Sequence, residues 1–127
     1  MTTIYQKLAP LGFAEWVSVK VFKAEPDTIQ VGIEEANKDF KRIDSLDVDD
    51  TERTSWNALA FRWLREEHKA KITQDFFKDH AADNNDPYVE VIKIYLYGKV
   101  AMASKDTYEL ASIACLEKAA EIIESKK

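Results

Sequence analysis

Two histidines, one cysteine and 23 carboxylates are the groups best suited to hold a metal or act as nucleophile or acid–base pair in this 127-residue chain. His68 and His80 stand twelve residues apart. On one straight helix that separation is about 18 Å of rise, too far to share a metal. A bend near Lys71 would bring them closer, with Asp79 or Asp83 beside them. Glu66 and Glu67 do not complete an HExxH or ExxH spacing. Solvent-facing histidines are the plainer reading, and no metal site is expected. Cys115 sits on an apolar helical pattern, which suits a small core side chain. A thiolate nucleophile needs a cationic or histidine neighbour and an access route, and Lys118 alone is weak support. Phosphate-binding and nucleophile-elbow motifs are missing from the sequence. An enzyme with an unidentified pocket stays an alternative, with no catalytic residue assigned and no cofactor expected.

The acidic run "IDSLDVDDTE" carries Asp44, Asp47, Asp49, Asp50 and Glu52 without a base. As a calcium loop starting at Asp47 it fails where the geometry is strictest. Glu52 occupies the sixth position, which needs glycine, and Ala58 the twelfth, which needs a bidentate glutamate. Capping is the simplest role: Asp49, Asp50 or Thr51 can accept from open amides at the start of the next helix and face its positive end. A contact surface is the sharper role. Glu34, Glu35 and Asp39 lie just upstream and would enlarge an acidic patch. Such a patch attracts a basic protein surface. A stoichiometric inhibitor or modulator works in this way, in the manner of an antitoxin, immunity factor or DNA mimic.

Charge distribution supports that direction. Residues 1–52 hold eleven acids and six bases, whereas residues 53–127 hold twelve of each. A net charge of −5 does not favour direct binding of nucleic acid or an acidic membrane. A local basic groove in the second half stays open, because sequence does not show clustering in space. Trp56 and Trp63 form a possible aromatic interface, through which the chain would serve as a subunit of an assembly or a homo-oligomer. They stand seven residues apart on one helical side, so core packing is their more ordinary role.

The elements that must position these groups are legible to different degrees. "WVSVKVF" at 16–22 alternates β-branched residues with Ser18 and Lys20, and "TIQVGI" at 28–33 alternates Ile29, Val31 and Ile33 with Gln30 and Gly32. Together they read as a hairpin, followed by a helix from about Glu34 with Ala36, Phe40 and Ile43 inward. The rival reading is one helix from the Pro26 region, with Ile29, Ile33, Ala36, Phe40 and Ile43 on one face. "DDTERTSWNALAFRWLREEHKAKITQDFFKDHAA" reads as helical, either bent or split near 69–73, where the apolar phase changes. "PYVEVIKIYLYGKVAMAS" reads as a strand broken at Gly98 into a second short strand containing Val100 and Met102, with a helix as the alternative. A broad-faced helix follows, capped by Asp106 with Glu109 as its capping-box partner.

These elements predict one α+β domain over residues 1–127: a small antiparallel sheet packed by three or four helices, with an all-α bundle as the alternative. The start "MTTIYQKLAPLG" lacks a basic region followed by a long apolar stretch. No apolar run approaches the roughly twenty residues that span a bilayer. A cytoplasmic location is therefore expected, as is the absence of a membrane partner. One cysteine permits no internal disulfide.

Overall fold

The computed structural model describes residues 4–44, 50–78, 88–105 and 107–126. Two short helices, α1 (Ile4–Leu8) and α2 (Phe13–Trp16), flank a 3-10 turn at Ala9–Leu11. The chain leaves α2 as a π-helical turn over Val17–Val21. Then come α3 (Ile29–Asp44), α4 (Asp50–His68), β1 (Lys71–Lys78), β2 (Tyr88–Leu96), β3 (Lys99–Lys105) and α5 (Tyr108–Lys126). The class is α+β with a small antiparallel sheet, as expected, and not an all-α bundle. Two compact units divide the chain, Met1–Trp56 and Asn57–Lys127, with the boundary inside α4.

The first unit is helical, which corrects the expected hairpin. Residues 16–22 coil instead of extending: the Phe22 amide donates to the Val17 carbonyl at 2.9 Å, an i to i+5 step. Long-range packing overrides the local alternation. The Ser18 hydroxyl donates to the Ile29 carbonyl at 2.8 Å, and Ser18 is fully buried. A Cβ added to Gly32 would overlap Ser18 Oγ and lie 2.9 Å from its Cβ. Glycine thus lets α3 touch the π-turn. The helix then begins at Ile29, not Glu34, and the single-helix reading of residues 29–43 is the correct one. Phe40 is its inner anchor. Its ring lies 5.1 Å from Phe13 and 6.3 Å from Tyr5, centroid to centroid, and meets Trp56 edge-on at 5.4 Å.

The second unit holds the sheet, ordered β1-β2-β3. Residues 71–78 are a strand, which corrects the expected helix. Their change of apolar phase marks the end of α4 and not a bend in it. Lys69 takes positive φ (55°) there, and the Ala70 amide reaches back to the Leu64 carbonyl at 3.1 Å. The strand reading of residues 88–103 holds, including the break at Gly98. Tyr97 and Gly98 both have positive φ (53° and 76°), as a two-residue type I′ hairpin requires, and Leu96 pairs with Lys99 across them. Ile92, Ile94 and Leu96 of β2, with Ala101 and Ala103 of β3, are buried on the face against α5. From α5 come Ala111, Cys115, Leu116, Ala119, Ala120 and Ile123, the broad face its periodicity predicts. Thr107 caps this helix: its hydroxyl accepts from the Leu110 amide at 3.2 Å. The expected cap, Asp106, lies outside the described residues.

Among the described residues, no helix is long and apolar enough to cross a membrane.

Candidate functional site

The acidic stretch does not stand as one exposed surface. Asp44 is 2 % exposed, so its assignment as a contact residue is corrected. Four residues beyond Phe40, it falls on the buried side of α3 and turns its carboxylate toward the open amides of α1. Oδ1 accepts from the Tyr5 amide at 3.3 Å, and Oδ2 from the Gln6 amide and side-chain Nε2 at 3.0 and 2.9 Å. These donors favour the ionised form, but burial outweighs them and raises the carboxyl above its ordinary pKa.

Glu52 is bound by Arg42, one of whose guanidinium contacts measures 3.1 Å. That hydrogen bond holds the Glu52 carboxyl below, and the guanidinium above, its usual range. Asp39 also meets Arg42, at 3.6 Å, and Glu35 meets Lys38 at 3.3 Å. Glu34 is exposed. Asp47 and Asp49 lie outside the described residues; Asp50 opens α4, consistent with a place at the positive helix end. Internal partners thus answer much of the proposed patch.

Trp56 and Trp63 are core residues, at 9 % and 1 % exposure, which corrects their reading as an aromatic interface. Trp63 packs edge-on against His68, with ring centroids 4.9 Å apart. His68 in turn meets Tyr97: Nδ1 and the phenol oxygen are 2.5 Å apart. Lys126 Nζ lies 4.4 Å from the centre of the Tyr97 ring. This chain of contacts secures the strained hairpin turn at one end of the sheet.

His80, Asp79 and Asp83 lie outside the described residues. Among the described residues no three His, Cys, Asp or Glu side chains gather as a metal site. Cys115 is buried, and its thiol donates toward the carbonyls of Ala101 (3.2 Å) and Ile92 (3.4 Å). Burial pushes its pKa up to about 12. The thiol is therefore protonated at neutral pH and held as a core donor. Native protein at pH 7–8 is expected to resist alkylation by iodoacetamide and to react once unfolded in urea; rapid labelling of the native chain would contradict this placement.

A groove of about 440 Å³ in the first unit is lined by Ala9, Pro10, Ala14 and Ile33, with Gln6, Asn37 and Lys41 as its polar members. Its size suits a small molecule, but its lining brings no histidine or carboxylate together.

The feature that sequence reasoning missed lies on the sheet. In β3 the small residues Ala101 and Ala103 face α5, whereas Val100 and Met102 point the other way, 52 % and 49 % exposed. Large apolar side chains outside and alanines inside reverse the usual economy of a strand. Register sets Tyr95, 39 % exposed, directly opposite Val100, and Lys93 opposite Met102. Lys71 and Thr73 of β1 complete those two rows. The result is an apolar patch interleaved with lysine on the face away from α5. In "KVAMAS" residue size alternates within an apolar run, which separates two faces without telling which of them a helix covers.

No family model, curated protein or solved structure matches the chain.

Proposed function

We propose that this protein acts by binding another protein, with the open face of its sheet as the contact surface. One observation carries the reading: Tyr95 and Val100 are exposed in paired positions of adjacent strands, and Met102, two residues along β3 on the same face, is exposed beside them. Apolar side chains scattered singly on a surface are ordinary, whereas a contiguous group on a rigid element marks an interface. Tyr and Met are also enriched at such contacts. The type I′ turn and the α5 packing hold the strands in place, so docking needs little ordering of the backbone.

A second reading keeps the first unit as the surface. Residues 1–56 carry eleven acids and seven bases, and Glu34 is exposed on α3. This field would attract a basic protein surface, as a stoichiometric inhibitor, antitoxin, immunity factor or DNA mimic does. The internal pairing of Glu35, Asp39 and Glu52 weakens it.

Retention of native partners on three immobilised baits separates the two. Bands kept by the wild type and lost with the double variant Val100→Ser, Met102→Ser support the sheet face. Bands unaffected by that variant but lost with Glu34→Lys, Glu35→Lys support the acidic unit. Partners indifferent to both pairs would overturn both assignments.

A further inference from the structure

Resting on the sheet-face reading, we infer that the docking segment of the partner is an amphipathic helix with acidic residues beside its apolar stripe. The chain as a whole is acidic, so this polarity is the reverse of what net charge suggests. It follows from where register puts the lysines. One row of the open face is Lys71–Tyr95–Val100, and the next is Thr73–Lys93–Met102. Each apolar row therefore contains one ammonium group. Neither Lys71 nor Lys93 has an ion pair with a described residue, and among the described side chains of this face there is no carboxylate. Asp75 shares the face by register, one row further along with Val91 and Ser104; its side chain lies outside the description, and Val91 is buried, so the exposed surface is the pair of rows nearest the Tyr97–Gly98 turn.

More lysines border this end of the sheet. Lys99 pairs with Leu96, Lys69 lies just before β1, and Lys126 covers the Tyr97 ring. These answer nearby negative charge as well: α4 and α5 both end here with Glu67 and Glu124 in their last turns, and helix C-termini carry partial negative charge. The argument accordingly rests on Lys71 and Lys93, which belong to the strands. A partner with a basic rim would bring like charges together across an apolar contact, which is strongly disfavoured. Acids flanking an apolar stripe satisfy both components at once, and a helix offers that arrangement at i, i+3 and i+4 spacing.

Single-stranded nucleic acid also pairs phosphate with lysine, but it needs aromatic rings on which bases stack. Tyr97 already meets His68 edge-on and lies under Lys126, which leaves Tyr95 as the aromatic of this face among the described side chains; Phe77 shares the face by register, two rows beyond Lys93, and its side chain lies outside the description. Val100 and Met102 suit aliphatic contacts better than base stacking. A protein segment is therefore the occupant the surface fits.

The test uses the full chain and three fluorescent probes: two designed amphipathic helical peptides with the same apolar stripe, one flanked by glutamate and one by lysine, and an oligothymidylate. Fluorescence anisotropy at low and moderate salt is expected to show the acidic peptide binding at least about tenfold more tightly than the basic one, with the gap narrowing as salt rises. Lys71→Glu with Lys93→Glu is expected to reverse the order. The basic peptide binding as well as the acidic one, in a manner lost on Met102→Glu, would remove the charge inference while leaving the docking face standing. Neither peptide binding would remove both. Tighter binding of the oligothymidylate, or a salt-sensitive dimer of the chain abolished by Met102→Glu, would overturn the inferred partner in favour of nucleic acid or a second copy. Circular dichroism of each variant establishes that it is folded before binding is compared.

Discussion

Gly32→Ala is expected to destabilise the protein by about 2 kcal/mol or more, although alanine is the better helix former by about 1 kcal/mol. At an exposed helix position the exchange would stabilise. Here the new methyl group would sit on the Ser18 hydroxyl, and it would lie 2.9 Å from Ser18 Cβ and 3.4 Å from Ser18 Cα. Rotating the hydroxyl away does not relieve the 2.9 Å approach to Ser18 Cβ, which does not move with that rotation. The backbone of the π-turn must retreat from α3, and the bond from Ser18 to the Ile29 carbonyl is then lost inside a fully buried site. A buried hydroxyl without a partner costs about 1–3 kcal/mol. Urea unfolding is the measurement, read as a lower midpoint at unchanged slope. Ser18→Gly supplies the control. It clears the side chain, so Gly32→Ala should cost less on that background, with a coupling of about 1 kcal/mol or more in the double-mutant cycle. A neutral or stabilising Gly32→Ala would mean that α3 and the π-turn do not meet as described.

That contact also explains why part of the fold was legible and part was not. In residues 88–103 the signals that favour strand over the alternative helix are local: alternating β-branched residues, then a turn residue at Gly98 where the chain needs positive φ. Residues 16–33 misled because the deciding interaction joins Ser18 to Gly32, fourteen positions on, and no window of a few residues contains it. Alternation of valine with Ser18 and Lys20 fits a strand, yet with Val17 and Ser18 buried it serves equally as the inner side of a π-turn. In β1 the deciding signal is local. The shift of apolar phase between Ala70 and Phe76 records a change of element, with Lys69 turning the corner.

The candidate site shows the same division. Asp44, Asp47, Asp49 and Asp50 look alike as a run of acids, and composition gives no reason to separate them. Helical register does. Asp44 follows Phe40 by four and so continues the Ala36–Phe40 line into the interior, where a carboxylate must have donors. Its donors come from α1, 38 and 39 residues away in sequence. The sheet face was hidden for the opposite reason. Nothing in the sequence tells which side of a short apolar strand a helix will cover, and small alanines beside larger Val100 and Met102 gain meaning only when α5 is seen against the alanines.

Asp44→Ala should be as damaging as the glycine substitution, with a loss of about 2–4 kcal/mol, because it strands three donors at once. The Tyr5 and Gln6 amides belong to the first described turn of α1, and Asp44 supplies acceptor oxygens to them from α3. Tyr5 and Leu8 should then leave the core together, giving faster amide exchange in α1 than in the wild-type protein measured alongside. Asp44→Asn keeps one acceptor oxygen but turns an amide donor toward at least one existing donor, so it should fall between the two. The pair also tests the charge state. Burial raises the folded pKa of Asp44 above the value of about 3.9 expected in the unfolded chain. The protonated form is then favoured by folding, and the stability it contributes is fully present below about pH 3.9 and declines as pH rises through the folded value. Glu52 runs the other way: Arg42 lowers its pKa, so its contribution is present above the unfolded value and lost as pH falls. Subtracting the urea-derived stability of Asp44→Asn from that of wild type cancels the Glu52 contribution, which both proteins share. The difference should decrease from pH 3.5 upward and level off once Asp44 is ionised. A difference that instead grows with pH would show that the three donors outweigh burial, and that Asp44 folds as a stabilised anion.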